Sequence, residues 1–220
     1  MSWLPLSQTV LRKFKCTIND IALCVVAGAL RDYLLERDCL PEQDLQTLMP
    51  VDIRRPREDG SIGNHVSVAR VSLYTTLEDD AERLHAVSAH ASEGKAQSKK
   101  SGSRAMLELA DEIHPAIIIG LGHWLFSSGH IEDLPQPVNT VVTNVPGPTG
   151  DNYLAGAKLI DYLGFGPLAP SLGLFHTVSS AGEHINITFL STAALLGDGS
   201  GYRAAMEDAL QNLLALGKSR

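Results

Sequence analysis

The sequence predicts a two-layer α/β (α+β) sandwich, one mixed β-sheet with helices on one of its sides. Three observations lead there. Helix-like and strand-like segments are interspersed along 220 residues, without the strict alternation of a doubly wound fold. Residues 172–180 and 184–191 flank Ala181-Gly182-Glu183, which reads as a hairpin. Two segments, 18–37 and 138–145, are almost continuously apolar, as elements buried on more than one side are. The first is therefore expected to be a helix packed against the sheet, and the second a central strand.

Each element has its own local warrant. Thr17 can cap the helix over 18–37, with Asp20 three residues on to return the bond or face the helix dipole. Leu23, Val26, Ala27, Leu30, Tyr33 and Leu34 then fall on one stripe. Residues 38–44, with Pro41, read as a loop. Strand-like runs follow at 45–53 and 64–74, joined by a link rich in charge, Pro and Gly. Residues 78–97 form an amphipathic helix with Leu84, Val87 and Ala91 on one face. A helical region over 105–126 should break or kink near Pro115. The strand at 138–145 is closed by Pro146-Gly147-Pro148, and residues 154–163 read as a further strand. Ile185, Ile187 and Phe189 alternate as in a half-buried strand, and a helix over 202–216 closes the chain. With no repeat and no low-complexity linker, residues 1–220 are expected to form one domain.

Composition narrows the function classes. Apolar residues make up 44% and charged residues 20%, as in an ordinary globular protein. The net charge of −7 comes from acids spread along the chain, and no basic stripe with interleaved aromatics is present. A nucleic-acid partner is therefore not expected. The cluster Lys95, Lys99, Lys100 and Arg104 reads as a solvated face. Three cysteines, with no Cys-x-x-Cys pair, fit a reduced cytoplasmic setting, with Cys24 as a buried thiol. The start of the chain carries no signal-peptide pattern. The longest apolar stretch, 116–126, is well short of the roughly 20 residues a membrane span needs. Dinucleotide-binding, phosphate-loop, His-Glu-x-x-His and Gly-x-Ser-x-Gly patterns are all missing, and no metal site is expected. The eight histidines are isolated from one another and read as structural or exposed.

Two segments exceed what local structure needs. In Thr17-Ile18-Asn19-Asp20-Ile21-Ala22-Leu23, capping accounts for Thr17 and Asp20 but leaves Asn19 unexplained. In Val141-Val142-Thr143-Asn144-Val145-Pro146-Gly147-Pro148-Thr149-Gly150, an apolar strand ends in a stiff turn that presents a hydroxyl and an amide. Between them lie Met49-Pro50-Val51-Asp52-Ile53-Arg54 and Gly63-Asn64-His65-Val66. This order resembles the C-terminal domain of the bacterial wax ester synthase/diacylglycerol acyltransferase family, over nearly the whole chain from Leu4 to Leu214. Leu4-Pro5-Leu6 is similar to the segment just before that domain's helical lead-in.

The resemblance implies one half of a chloramphenicol-acetyltransferase-like fold, in which a substrate tunnel lies between two similar sandwiches. It implies acyl transfer from a fatty acyl-CoA donor, with no tightly bound cofactor, to diacylglycerol or a long-chain alcohol. The family's base is the second His of a His-His-x-x-x-Asp-Gly motif in the N-terminal half. These 220 residues lack that motif, so the implied partner is an N-terminal half-domain that carries it. Thr143 matches a Ser or Thr that faces the base shortly before a Pro, which makes it the expected oxyanion donor. Asn144 is expected to hold the turn or reach the acyl donor. Asn19, Asp20, Pro146 and Gly147 are expected to shape the tunnel. Ile117, Ile118, Leu121, Trp124 and Leu125 would be the contact for peripheral attachment to a membrane or lipid-body surface, although burial in the core is the favoured reading for them. Two alternatives stay open: a non-catalytic acyl- or pantetheine-binding scaffold, and half of a peptide-synthetase condensation domain. The Thr143–Pro148 stretch favours the lipid family over the latter.

Overall fold

A computed structural model describes residues 4–52, 66–100, 138–148, 150–169, 172–181 and 184–218. The expected helical region with Pro115, the lipid-contact candidates at 117–125 and Thr149 lie outside these residues. A five-stranded sheet organises the rest. Its strands are β1 (Gln46–Asp52), β2 (Val66–Ser72), β3 (Thr140–Val145), β6 (Leu174–Ala181) and β7 (His184–Ser191), in the order β2-β1-β3-β6-β7. β3 is central, and pairs parallel with both β1 and β6, whereas β1–β2 and β6–β7 are antiparallel. The sheet is mixed, as expected.

The pleat sorts side chains onto two faces. Thr47, Met49 and Val51 of β1, Ala69 and Val71 of β2, and Val142 and Val178 of β3 and β6 are buried on one of them. Against that face lie α2 (Ile18–Leu35), α3 (Asp80–Lys100) and α5 (Ser200–Lys218), which share a single apolar core with the strands. A short α4 (Ala193–Leu196) leads into α5. Burial of α2 is wider than the stripe seen in the sequence: Ile21, Ala22, Cys24, Val25 and Ala29 are buried as well. The helix sits between the sheet and two other helices, and a helix covered on all sides has no polar face to show.

Two elements differ from expectation. Residues 154–163 do not form one strand. They contain Leu154 of β4 (Tyr153–Leu154) and all of β5 (Ala157–Lys158), which form a two-strand ribbon, followed by chain outside any strand. An additional helix, α1 (Leu4–Phe14), precedes α2 and packs on α5, with Val10 fully buried and Lys13 Nζ donating to Leu216 O at 2.8 Å. Pro5 falls in its first turn, where a missing N–H costs nothing.

Candidate functional site

The second half of β3 carries the unusual residues, and both ends of the strand are held. At its start, Thr140 faces the helices. Its Oγ1 donates to Leu174 O at 2.9 Å and lies 3.0 Å from His176 Nδ1, while His176 Nε2 lies 2.8 Å from the Tyr202 hydroxyl. With the Thr140 proton committed to Leu174, Nδ1–H donates to Thr140, and Tyr202 donates to Nε2. Burial holds the His176 imidazole down at about 4 and pushes the Tyr202 phenol well up, so both are neutral at pH 7. His176 is thus a satisfied core histidine, in line with the structural reading of the histidines.

At the other end, the strand gives way to Pro146-Gly147. Gly147 N–H donates to Ser180 Oγ at 3.1 Å. A Cβ on Gly147 would lie 1.6 Å from Ser180 O and 3.1 Å from the Tyr162 ring. Only glycine allows the turn to come this close to β6.

Thr143 lies between these anchors. Since Thr140 and Val142 face the helices, alternation turns Thr143 to the opposite face, which no helix of the described residues covers, with Val141 and Val145. It is half-buried, and its hydroxyl has no hydrogen-bond partner among the described residues. Directly across on β6 is Thr177. Asn144 belongs by alternation to the helix side, but it is exposed at the strand end. The same face of β6 is crossed by residues 161–166. Gly164 and Gly166 make this approach possible, since a Cβ on either would clash with Thr177 or the Phe175 ring at 2.6 Å or less. Ser179 Oγ donates to Tyr162 O at 2.6 Å, and Thr188 Oγ1 donates to Gly164 O at 2.5 Å.

Asn19 and Asp20 are elsewhere. Asp20 completes a capping box with Thr17, its Oδ2 accepting from Thr17 N at 2.7 Å, Thr17 Oγ1 at 2.8 Å and Ser88 Oγ at 3.2 Å. Asn19, the residue capping did not explain, donates from Nδ2 to Met49 Sδ at 3.2 Å. Both are buried in the helix layer, so the sheet separates them from the Thr143 hydroxyl. Asp20 Oδ1 is buried without a hydrogen-bond partner among the described residues. Cys24 is buried on the same helix, and desolvation pushes its thiol up to about 12.

Sequence reasoning did not single out Thr177, Ser179, Ser180 or Thr188. Each acts through a tertiary contact with the crossing segment or the turn, which no local pattern announces. A further apolar groove of about 460 Å³ runs between β7 and α5, lined by Val25, Phe165, Ile187, Phe189, Met206 and Leu210 among others. Among the described residues there is no cluster of three or more potential metal ligands, and no helix long and apolar enough to cross a membrane.

Comparison with known proteins places this arrangement. Residues 62–214 match the family described as WS/DGAT C-terminal domain. A Mycobacterium tuberculosis protein named probable diacylglycerol O-acyltransferase tgs2 is 32% identical over 90% of the chain, and one named tgs1 is 28% identical over 97%. The chain spans only 40% and 45% of the lengths of these two relatives. Among solved structures, the wax ester synthase/diacylglycerol acyltransferase from Marinobacter aquaeolei VT8 superposes with a TM-score of 0.73 at 23% identity, over 96% of this chain and 46% of that one. A first condensation domain of the calcium-dependent antibiotic synthetase superposes at 0.53 and 13% identity, over 99% of this chain and 43% of that one, and so shares the fold. The chain therefore belongs to the WS/DGAT family, and it represents that family's C-terminal domain.

Proposed function

We propose that this chain is the C-terminal half of an acyl-CoA-dependent O-acyltransferase that makes triacylglycerol or wax esters. One observation carries the reading: Thr143 is half-buried on the face of the sheet that no described helix covers, at the end of a strand fixed on both sides. In acyl transfer, a base takes the proton of the acceptor hydroxyl while the alkoxide oxygen attacks the thioester carbonyl. Negative charge then develops on the carbonyl oxygen. Thr143 Oγ1–H donates to that oxyanion. Collapse breaks the C–S bond, the ester forms, and the CoA thiolate recovers the proton from the base. The base itself is the histidine of an N-terminal half-domain. Asn144 lies beside the acyl donor, Pro146-Gly147 fixes the turn, and Asn19 and Asp20 act from behind by seating α2 on β1. The reading includes a cytoplasmic location, with at most peripheral contact with lipid surfaces.

The test is reconstitution. The chain alone is expected to show no useful esterification, since general base catalysis alone supplies about 10²–10⁴-fold and the second tunnel wall is missing. Adding the N-terminal portion of a relative should produce turnover with acyl-CoA and diacylglycerol or a long-chain alcohol. Thr143→Val should then lower it by roughly 10²-fold without changing folding. Robust turnover by the chain alone, or full activity of Thr143→Val in the pair, would refute the assignment.

A further inference from the structure

One edge of the sheet lies open. β6 pairs with β7 along the whole strand, and no described strand pairs with the other edge of β7. The apolar groove of about 460 Å³ follows that edge, and residues 185–189 line it in unbroken succession. Successive residues of a strand face opposite sides of the sheet. A groove that touches all of them therefore runs along the rim of the strand, not over one face. Phe165 walls it on one side, and Met206 and Leu210 of α5 wall it on the other. Sheets ordinarily guard such an edge with Pro, charges, bulges or a very short strand. β7 has no Pro, Lys, Arg, Asp or Glu, it is 8 residues long, and its register with β6 is continuous.

The chemistry of the groove selects its occupant. Its floor is a row of backbone N–H and C=O groups, which an acyl chain cannot satisfy and another strand can. The pattern of β7 suits a copy of itself. An antiparallel copy centred on Ile187 sets Ile185 against Phe189 on one face and Asn186 against Thr188 on the other, both favourable cross-strand pairs. The rim charges are self-complementary too. Arg203 and Glu207 pair at 2.9 Å one turn apart on α5, both line the groove, and both are mostly exposed. A two-fold axis reverses the second helix, so each Arg203 approaches a Glu207 of the other copy. We infer that β7 is a self-association edge, through which two copies join their five-stranded sheets into one continuous sheet. The size of the contact sets its strength. Eight residues span about 27 Å and a sheet with its helix layer is about 20 Å deep, which gives roughly 1,100 Å² over both copies, the low end for a specific interface. The net charge of −7 opposes association as well. The dimer is therefore reversible, with a dissociation constant on the order of 10 μM. None of these residues belongs to the Thr143 site, so the contact is independent of the acyltransferase reading.

Sedimentation equilibrium of the chain from about 1 to about 200 μM tests it, and a monomer–dimer equilibrium is expected. Leu190→Lys places a charge on the edge strand and should weaken the dimer about tenfold or more. Arg203→Glu and Glu207→Arg should each weaken it about fivefold, by setting like charges across the two-fold axis. An equimolar mixture of these two variants should associate as tightly as the parent, because each then meets the opposite charge. Asp208→Arg, the same change of charge outside the groove, should leave the dimer at parental strength. Should Leu190→Lys fail to fold, the two α5 variants decide alone, since their side chains are mostly exposed. A chain that stays monomeric throughout, a dimer that folded Leu190→Lys leaves unchanged, or mixed variants that associate no better than each alone would overturn the inference. So would a monomer that floats with phosphatidylcholine vesicles through Leu190, which would assign the groove to lipid.

Discussion

Mild acid should destabilise this fold through His176. The imidazole is fully buried, with Nδ1 against Thr140 and Nε2 against Tyr202, and burial lowers it from 6.5 to about 4. The unfolded chain therefore binds a proton that the folded chain refuses. Stability is complete above the unfolded value of 6.5, and is lost as pH falls from there towards 4. At 1.36 kcal/mol per unit, the full depression is worth about 3 kcal/mol, of which about 2 should be lost between about pH 7.5 and about pH 5. Urea denaturation followed by far-UV circular dichroism at the two pH values measures it. His176→Gln removes the titration. It should be less stable at neutral pH by about 1–3 kcal/mol through the disturbed hydrogen bonds, yet lose about 2 kcal/mol less than the parent on acidification. Equal acid losses in parent and variant would refute the reasoning.

Other perturbations separate the remaining roles. Asp20→Ala removes three side-chain hydrogen bonds, including the carboxylate arm of the capping box, and should destabilise the chain by about 1–3 kcal/mol in the same assay. Gly147→Ala places a Cβ against the Ser180 backbone, so the turn must move; lower melting temperature and loss of any reconstituted turnover are expected together. Of the three thiols, exposed Cys39 should react first with a disulfide reagent. Cys24, buried and pushed up to about 12, should react only when the chain unfolds.

Most of the architecture was legible because its signals are local. Thr17 and Asp20 form the capping box that their spacing suggested, and the apolar run ending at Val145 is the central strand. The Ala181-Gly182-Glu183 region joins β6 and β7, which pair antiparallel over their full length. What was missed depends on distant partners. In α1, Ser7, Gln8, Thr9, Arg12 and Lys13 dilute the apolar pattern, and Val10 is buried only because α5 is there to cover it. Residues 154–163 have the composition of a strand, but β3 and β7 already occupy both edges of β6, so the segment crosses the face of the sheet instead. Asn19 has no local partner that its sequence neighbours announce, since Met49, to which it donates, lies thirty residues away.

The sheet separates the two motifs, so in the proposed reaction they would act differently. A donor stabilises a developing oxyanion only if it is held near its final geometry before the charge appears. Thr143 meets that requirement through its strand. Thr140, His176 and Tyr202 tie the start of β3 to α5, while Gly147 and Ser180 tie the turn after it to β6. From the other side, Asn19 and Asp20 seat the start of α2 against Met49 of β1, and Met49 shares the core with Val142, the residue before Thr143. The Asn-Asp pair can therefore influence the hydroxyl only through packing. Loss of the pair should loosen Thr143 and lower turnover, whereas loss of the hydroxyl should lower turnover with the fold intact. On the proposed reading the two motifs differ in kind: one holds the strand, and the other presents the hydrogen-bond donor.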